Sequence, residues 1–347
     1  MVVMSNLQIG LAIVGGLVLA AVVGHSAWSS RKNVPRQAAP ENDPPDRIEL
    51  IEPHLRGGGD AQLDTGSLSP PPPKAPLLDA LIDVIAPIAL EHPVSGEAAL
   101  AALPPTRRVG SKPFAVEGLN AQTDAWEVPT NGQRYSQLQV GIQLANRLGP
   151  LKDIEYSEYV VKAQAFADVF NGAAEFPEMR DELARAKELD QFAGDHDAQL
   201  SFTLRAHAAA WSPGFITQTA ARLGFVAGVM PGRMVLPTGT EGLPPILVLE
   251  FDAQAALADD PSLSAIRDLT INLDVPQVTR NESPFVRLRE TCLQLAQAMD
   301  GLVTDDNGHA LLPDALDTIG SELENLYDAL DSRELSAGSV LARRLFS

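Results

Sequence analysis

The residue types that carry chemistry are thinly spread in this sequence, and none stands in a catalytic pattern. Six histidines are scattered along the chain, no two of them at the spacing of a metal-ligand pair. Asp305-Asp306-Asn307 opens like a calcium loop, but such a loop needs a longer ligand series closed by a glutamate. The following Gly308 makes Asn307-Gly308 the turn of a hairpin instead. Thr238-Gly239-Thr240-Glu241-Gly242 has the glycines of a phosphate loop without the lysine that meets a phosphate. There is no G-x-S-x-G elbow, no Walker motif, no H-E-x-x-H and no dinucleotide fingerprint. The single cysteine, Cys292, excludes an internal disulfide and a cysteine-built zinc or iron-sulfur site, and fits a reducing compartment. The expectation is a protein that is not an enzyme, with no catalytic residue, cofactor or metal.

The elements around these residues point to binding. Of 347 residues, 45% are hydrophobic, enough for a real core, and 45 acidic side chains against 26 basic ones give a net charge of -19. Nucleic acid is excluded as a partner, because a phosphate backbone needs clustered Lys and Arg, and here basic residues occur at most in pairs.

Residues 1–28 read as a membrane anchor. Leu7 to Ala27 is uncharged and as a helix would span about 31 Å, the width of a bilayer core. Trp28 stands at the interface, and Arg31, Lys32 and Arg36 place residues 28–347 in the cytoplasm. The competing reading, an exported protein with a cleaved signal peptide, lacks the basic start of such a peptide. Ala12, Gly16, Ala20 and Gly24 share one helix face, a seam suited to self-association. Residues 29–112 read as a flexible acidic linker rich in proline, including Pro70 to Pro73. Within it Leu77, Leu78, Leu81, Ile82 and Ile85 fall at helical spacing and predict a short amphipathic helix ended by Pro87.

Residues 113–197 predict an α/β subdomain. Leu138, Val140, Ile142 and Leu144 alternate as a strand, Tyr159, Ala163, Phe166 and Phe170 make a helical stripe, and a second helix follows Pro177. This strand, helix, helix order repeats that of 268–331, which suggests a degenerate half-repeat.

Residues 198–332 predict an α+β domain: an antiparallel sheet backed on one face by about three helices, with residues 333–347 as a tail. Leu200, Phe202 and Leu204 alternate with Gln199, Ser201 and Thr203, and Leu269, Ile271, Leu273 and Val275 alternate with Thr270, Asn272 and Asp274. Ser212-Pro213 and Ser283-Pro284 open helices. The second carries Leu288, Cys292, Leu295 and Met299 on one face, which makes Cys292 a core thiol. The strand ILVLEF, residues 246–251, is apolar on both faces, and the expectation is that Leu247, Leu249 and Phe251 line an exposed apolar groove.

The order of parts, an anchor followed by GHSAWSSRK, a Pro-rich acidic linker, then LTINLDVP, a helix, DGLVTDDNGHALLP and a final helix, resembles the ZipA family of cell-division proteins. The likeness covers residues 5–36 and about 198–332. It implies a bacterial inner-membrane protein whose cytoplasmic sheet holds the C-terminal peptide of the tubulin-like protein FtsZ, tethering the Z ring to the membrane. A membrane-anchored protein with a different partner is the alternative. Carried over by position, the peptide groove includes Leu249, Phe251, Thr270 and Asn272, with Ser201, Thr203, Met230 and Met234 around it. The family favours a bulky apolar residue where Asn272 stands.

Overall fold

A computed structural model of the chain describes residues 35–38, 77–258, 260, 264–305 and 308–347. The anchor at 7–27, the seam at Ala12, Gly16, Ala20 and Gly24, Asp306 and Asn307 lie outside the described residues. The described residues form two compact units, one drawn from 42–196 with Val340–Ser347, the other from 1–41 with 197–339.

The first unit runs β1 (Asp83–Ser95), α1 (Gly96–Ala101), β2 (Arg108–Val109), β3 (Lys112–Asn120), β4 (Trp126–Glu127), β5 (Arg134–Gln143), the small hairpin β6 (Ala145–Asn146) and β7 (Gly149–Pro150), α2 (Asp153–Asp168), β8 (Ala173–Ala174) and α3 (Met179–His196). Its sheet has the order β2-β3-β5-β1-β8 with β4 alongside β3, antiparallel throughout. On one face Val84, Ala86 and Ile88 pair with Ile142, Val140 and Leu138, and all six are fully buried. Phe114 and Val116 continue that face on β3. α2 covers it: Tyr159 is buried, donates its hydroxyl to the Val140 carbonyl at 3.1 Å, and meets the Phe114 and Phe176 rings edge-on. Each of the larger side chains buried this way, the valines, leucine, isoleucines and phenylalanine, contributes about 1.5 to 3 kcal/mol.

This corrects the fold expected from the sequence, one helix-backed antiparallel sheet over residues 198–332, preceded by a transmembrane helix, an unfolded linker to residue 112 and an α/β subdomain over 113–197. There are two sheet-bearing α+β units, and among the described residues no helix is long and apolar enough to cross a membrane. Residues 83–112, assigned to the linker, include β1, a strand at the heart of the first sheet. The helix expected over 77–86 does not form. Asp79 accepts from the Leu81 amide at 2.8 Å and Asp83 accepts from the Asp79 amide at 2.9 Å, so local carboxylates turn the chain where a helix would need the same backbone groups. Leu77 is left 45% exposed, whereas the period-two set Val84, Ala86 and Ile88 finds the core. Pro87 is tolerated inside β1 because β8 pairs with β1 only at Ile88 and Ala89, which leaves most of that edge open.

The second unit runs β9 (Gln199–Ala206), α4 (Pro213–Ala221), β10 (Val226–Ala227), β11 (Arg233–Leu236), β12 (Leu247–Glu250), α5 (Ala253–Ala256), β13 (Asp268–Asp274), α6 (Pro284–Met299), β14 (Gly301–Thr304) and α7 (Pro313–Ser332), while α8 (Val340–Leu345) belongs to the first. Ser212 caps α4 by accepting from the Phe215 amide at 3.2 Å, with Pro213 in the first turn. Arg36 also belongs here: its amide donates to Ala210 and its guanidinium meets Asp300 at 2.9 Å. After β14, Gly308 takes φ +81° with its amide donating to the Asp305 carbonyl, and Thr304 forms an antiparallel bridge with Ala310. Asp305 also accepts from the His309 amide at 2.8 Å, so that carboxylate braces its own turn.

The two sheets share one topology. The order β14-β9-β13-β12-β11 in the second unit matches β8-β1-β5-β3-β2 in the first, and in both the chain runs strand, helix, strands, helix, edge strand, helix, with the four-residue α5 an addition between β12 and β13 of the second unit. By this correspondence α2 matches α6 and α3 matches α7. The equivalence reaches beyond the half-domain expected from the sequence, because β1 supplies the strand that corresponds to β9.

Cys292 is buried on α6, and desolvation alone pushes its thiol up to about 12. A thiolate is the reactive form, so a maleimide or disulfide reagent at pH 8 should label Cys292 at the rate of unfolding. Labelling of the native chain at the rate of a free thiol would contradict this placement.

Candidate peptide-binding face

Antiparallel partners project their side chains from the same face, so the register sorts the second sheet. Leu249 opposes Ile271, which opposes Phe202, and Met234 opposes Leu249. All four are buried, and with Leu247, Leu269, Leu273 and Leu204 they form the face covered by α6. Val248, Asn272 and Ser201 form the next row on the opposite face, and Glu250, Thr270 and Thr203 the row after that, all of them partly exposed.

The expected groove therefore divides. Ser201, Thr203, Thr270 and Asn272 come together on the open face. Leu247, Leu249 and Met234 lie on the other face, under the helices, with Leu247 and Leu249 fully buried. Phe251 sits just past the end of β12, half-buried, its amide donating to the Gly232 carbonyl at 2.8 Å. Met230 is exposed in the turn between β10 and β11. The inversion has a simple cause. A strand apolar on both faces carries no period that selects one, and a one-residue change of parity moves every side chain across the sheet. What selects the face is Leu249 against Ile271 and Phe202, a pairing that only the register supplies.

The residues missed in the sequence are Val235 and Val248, which oppose each other and give the open face its apolar centre. Around them the surface is polar. Asn272 donates from Nδ2 to Glu250 Oε2 at 3.1 Å, Arg233 lies 3.6 Å from the other Glu250 oxygen, and Arg205 pairs with Asp268 at 2.8 Å. At the far edge Leu302 opposes Arg205 and is exposed. Such a face offers hydroxyl and amide groups to an extended backbone and two valines to its side chains. It offers no convergent acid-base set, and among the described residues no three His, Cys, Asp or Glu side chains group to hold a metal.

Comparison with known proteins gives no family model that matches the chain and no curated protein of significant similarity.

Proposed function

We propose that this chain is a cell-division adaptor that captures the C-terminal peptide of FtsZ on the open sheet face of the second unit and so holds the polymer at the bacterial inner membrane. The observation that supports the reading is the row Val235, Val248, Asn272 and Ser201, continuous across four strands and lying opposite the helix-covered face. A peptide laid on this row buries its apolar side chains against the two valines, at about 1.5 to 3 kcal/mol for each one fully desolvated, part of which ordering a flexible tail offsets. Single contacts are weak, and a polymer that presents many tails to many receptors supplies the strength.

Titration of the full-length chain with the FtsZ C-terminal peptide from the same cell tests this. Saturable binding should weaken at least tenfold in Val248→Asp, equivalent to about 1.4 kcal/mol. Asn272→Ile, which restores the bulk that the resembling family favours, should tighten it. Absence of saturable binding by the folded chain would remove FtsZ as the partner.

A further inference from the structure

The matched helices α2 and α6 repeat a surface feature as well as a core one. On their inner faces Tyr156, Tyr159, Ala163 and Ala167 align with Leu288, Thr291, Leu295 and Met299, and all eight are buried. The same alignment, a shift of 132 positions, places Ile154, Glu158 and Val161 on Val286, Glu290 and Leu293. The aliphatic members are 64%, 70%, 52% and 54% exposed for Ile154, Val161, Val286 and Leu293. Surface positions of a helix ordinarily carry polar residues, yet here an aliphatic, carboxylate, aliphatic stripe recurs at i, i+4 and i+7 in both units.

Two further observations define what fits such a stripe. Among the described residues neither Glu158 nor Glu290 has a hydrogen-bond or ion-pair partner, so each stripe presents an uncompensated negative charge between two apolar contacts. On α2 the stripe is also one wall of an open cavity of about 640 Å³, whose other wall is Ala102, Pro104 and Pro105. Lys162 borders this cavity, but its ammonium is turned to Thr106 and the Arg108 carbonyl and leaves Glu158 unneutralised.

From these features we infer that the outer faces of α2 and α6 each dock a short basic amphipathic helix of a partner protein. Two aliphatic side chains of that helix, about two turns apart, pack beside Ile154 and Val161 or beside Val286 and Leu293. A Lys or Arg between them meets Glu158 or Glu290. Charge selects the occupant: an acidic helix and an anionic membrane surface are both repelled by the carboxylate and by the net charge of -19.

The test uses the full-length chain and an 18-residue synthetic amphipathic helix whose binding stripe carries Leu, Lys and Leu at i, i+4 and i+7, with a second peptide bearing Glu in place of that Lys. Calorimetry should show two equivalents of the Lys peptide per chain, with the Glu peptide at least tenfold weaker. Val161→Glu should remove one equivalent and Leu293→Glu the other, with unchanged thermal unfolding because both positions are more than half exposed. Val248→Asp should leave both equivalents intact, which separates this result from the fate of the sheet-face reading. No saturable binding, equal binding of the two peptides, or binding indifferent to both substitutions overturns the inference. So does sedimentation of the chain with phosphatidylglycerol vesicles that Val161→Glu and Leu293→Glu abolish.

Discussion

Replacing Arg344 by alanine is expected to destabilise the first unit by about 3 to 5 kcal/mol, a large share of a domain's stability. The Arg344 guanidinium reaches back from α8 to Asp83 at the start of β1, Nη2 to Oδ1 at 2.6 Å, and also donates to the Leu77 carbonyl. The Asp83 side chain is fully buried and that of Arg344 is 19% exposed. Gln143 on β5 donates to the Arg344 carbonyl at 2.8 Å, and Leu345 and Phe346 are buried beside it, so the ion pair is the polar centre of an apolar clasp. Removing the cation leaves a carboxylate in a dry site. Burial raises the Asp83 carboxyl above its ordinary value of 3.8, and Arg344 is the main opposing influence. Without Arg344 it rises further. A carboxyl whose folded-state pKa is raised favours the fold below the unfolded value and loses that contribution as pH climbs. The Arg344→Ala penalty should therefore be smallest near pH 3.8 and largest at neutral pH, and Asp83→Asn in the same chain should recover part of it. Hydrogen exchange of the β1 and β5 amides reads this unit separately from the other. A penalty independent of pH would show that Arg344 acts through packing alone.

What the sequence made legible follows from how much of each element's burial is decided locally. β5 and β13 alternate cleanly because one face of each is covered, and Leu138, Val140, Ile142, Leu269, Ile271 and Leu273 are buried as their periodicity requires. α6 and α4 announce themselves through a proline in the first turn and a 3/4 stripe. β1 is illegible for the opposite reason. Its two prolines, Pro87 and Pro93, suggest a loop, and the leucines before it fall at helical spacing by coincidence, while the partners that make it a strand lie about fifty residues away on β5. The candidate face was half legible. Thr270, Asn272, Ser201 and Thr203 were placed on the open face by alternation alone, whereas Leu247 and Leu249 needed the register. The exposed stripes on α2 and α6 are not legible in the sequence, because a helix with apolar residues on two faces reads simply as apolar until its packing shows which face is core.

Glu155→Ala should cost the first unit about 2 to 4 kcal/mol, because one carboxylate satisfies three donors in two elements. Oε2 accepts from the Lys152 amide at 3.1 Å, capping the start of α2, for which the Lys152 side chain provides no hydrogen bond. Oε1 accepts from the Ser111 amide at 2.8 Å and from its hydroxyl at 2.9 Å, holding the turn between β2 and β3. That turn depends on Gly110 at φ +54°, where an added Cβ would stand 2.4 Å from Glu155 Oε1. Below it the buried Lys112 ammonium bonds Asn146 at 2.6 Å, and Asn146 returns a bond to the Ser111 carbonyl at 3.1 Å. Burial pushes the Glu155 carboxyl up, but the Ser111 and Lys152 donors and the Lys112 charge outweigh it and hold it below the ordinary value of 4.5. A depressed carboxyl contributes stability above its unfolded value and loses it as pH falls through the folded one, the reverse of Asp83. The stability gap between the native chain and Glu155→Gln, followed by hydrogen exchange of α2, should thus be constant from pH 7 to about pH 5 and narrow below 4.5. A gap that held its size into acid would mean that the carboxylate's hydrogen-bonding shape matters there and its charge does not. In that case Glu155→Gln would carry the same cost at every pH, because the amide nitrogen that replaces one carboxylate oxygen cannot accept a hydrogen bond whatever the pH.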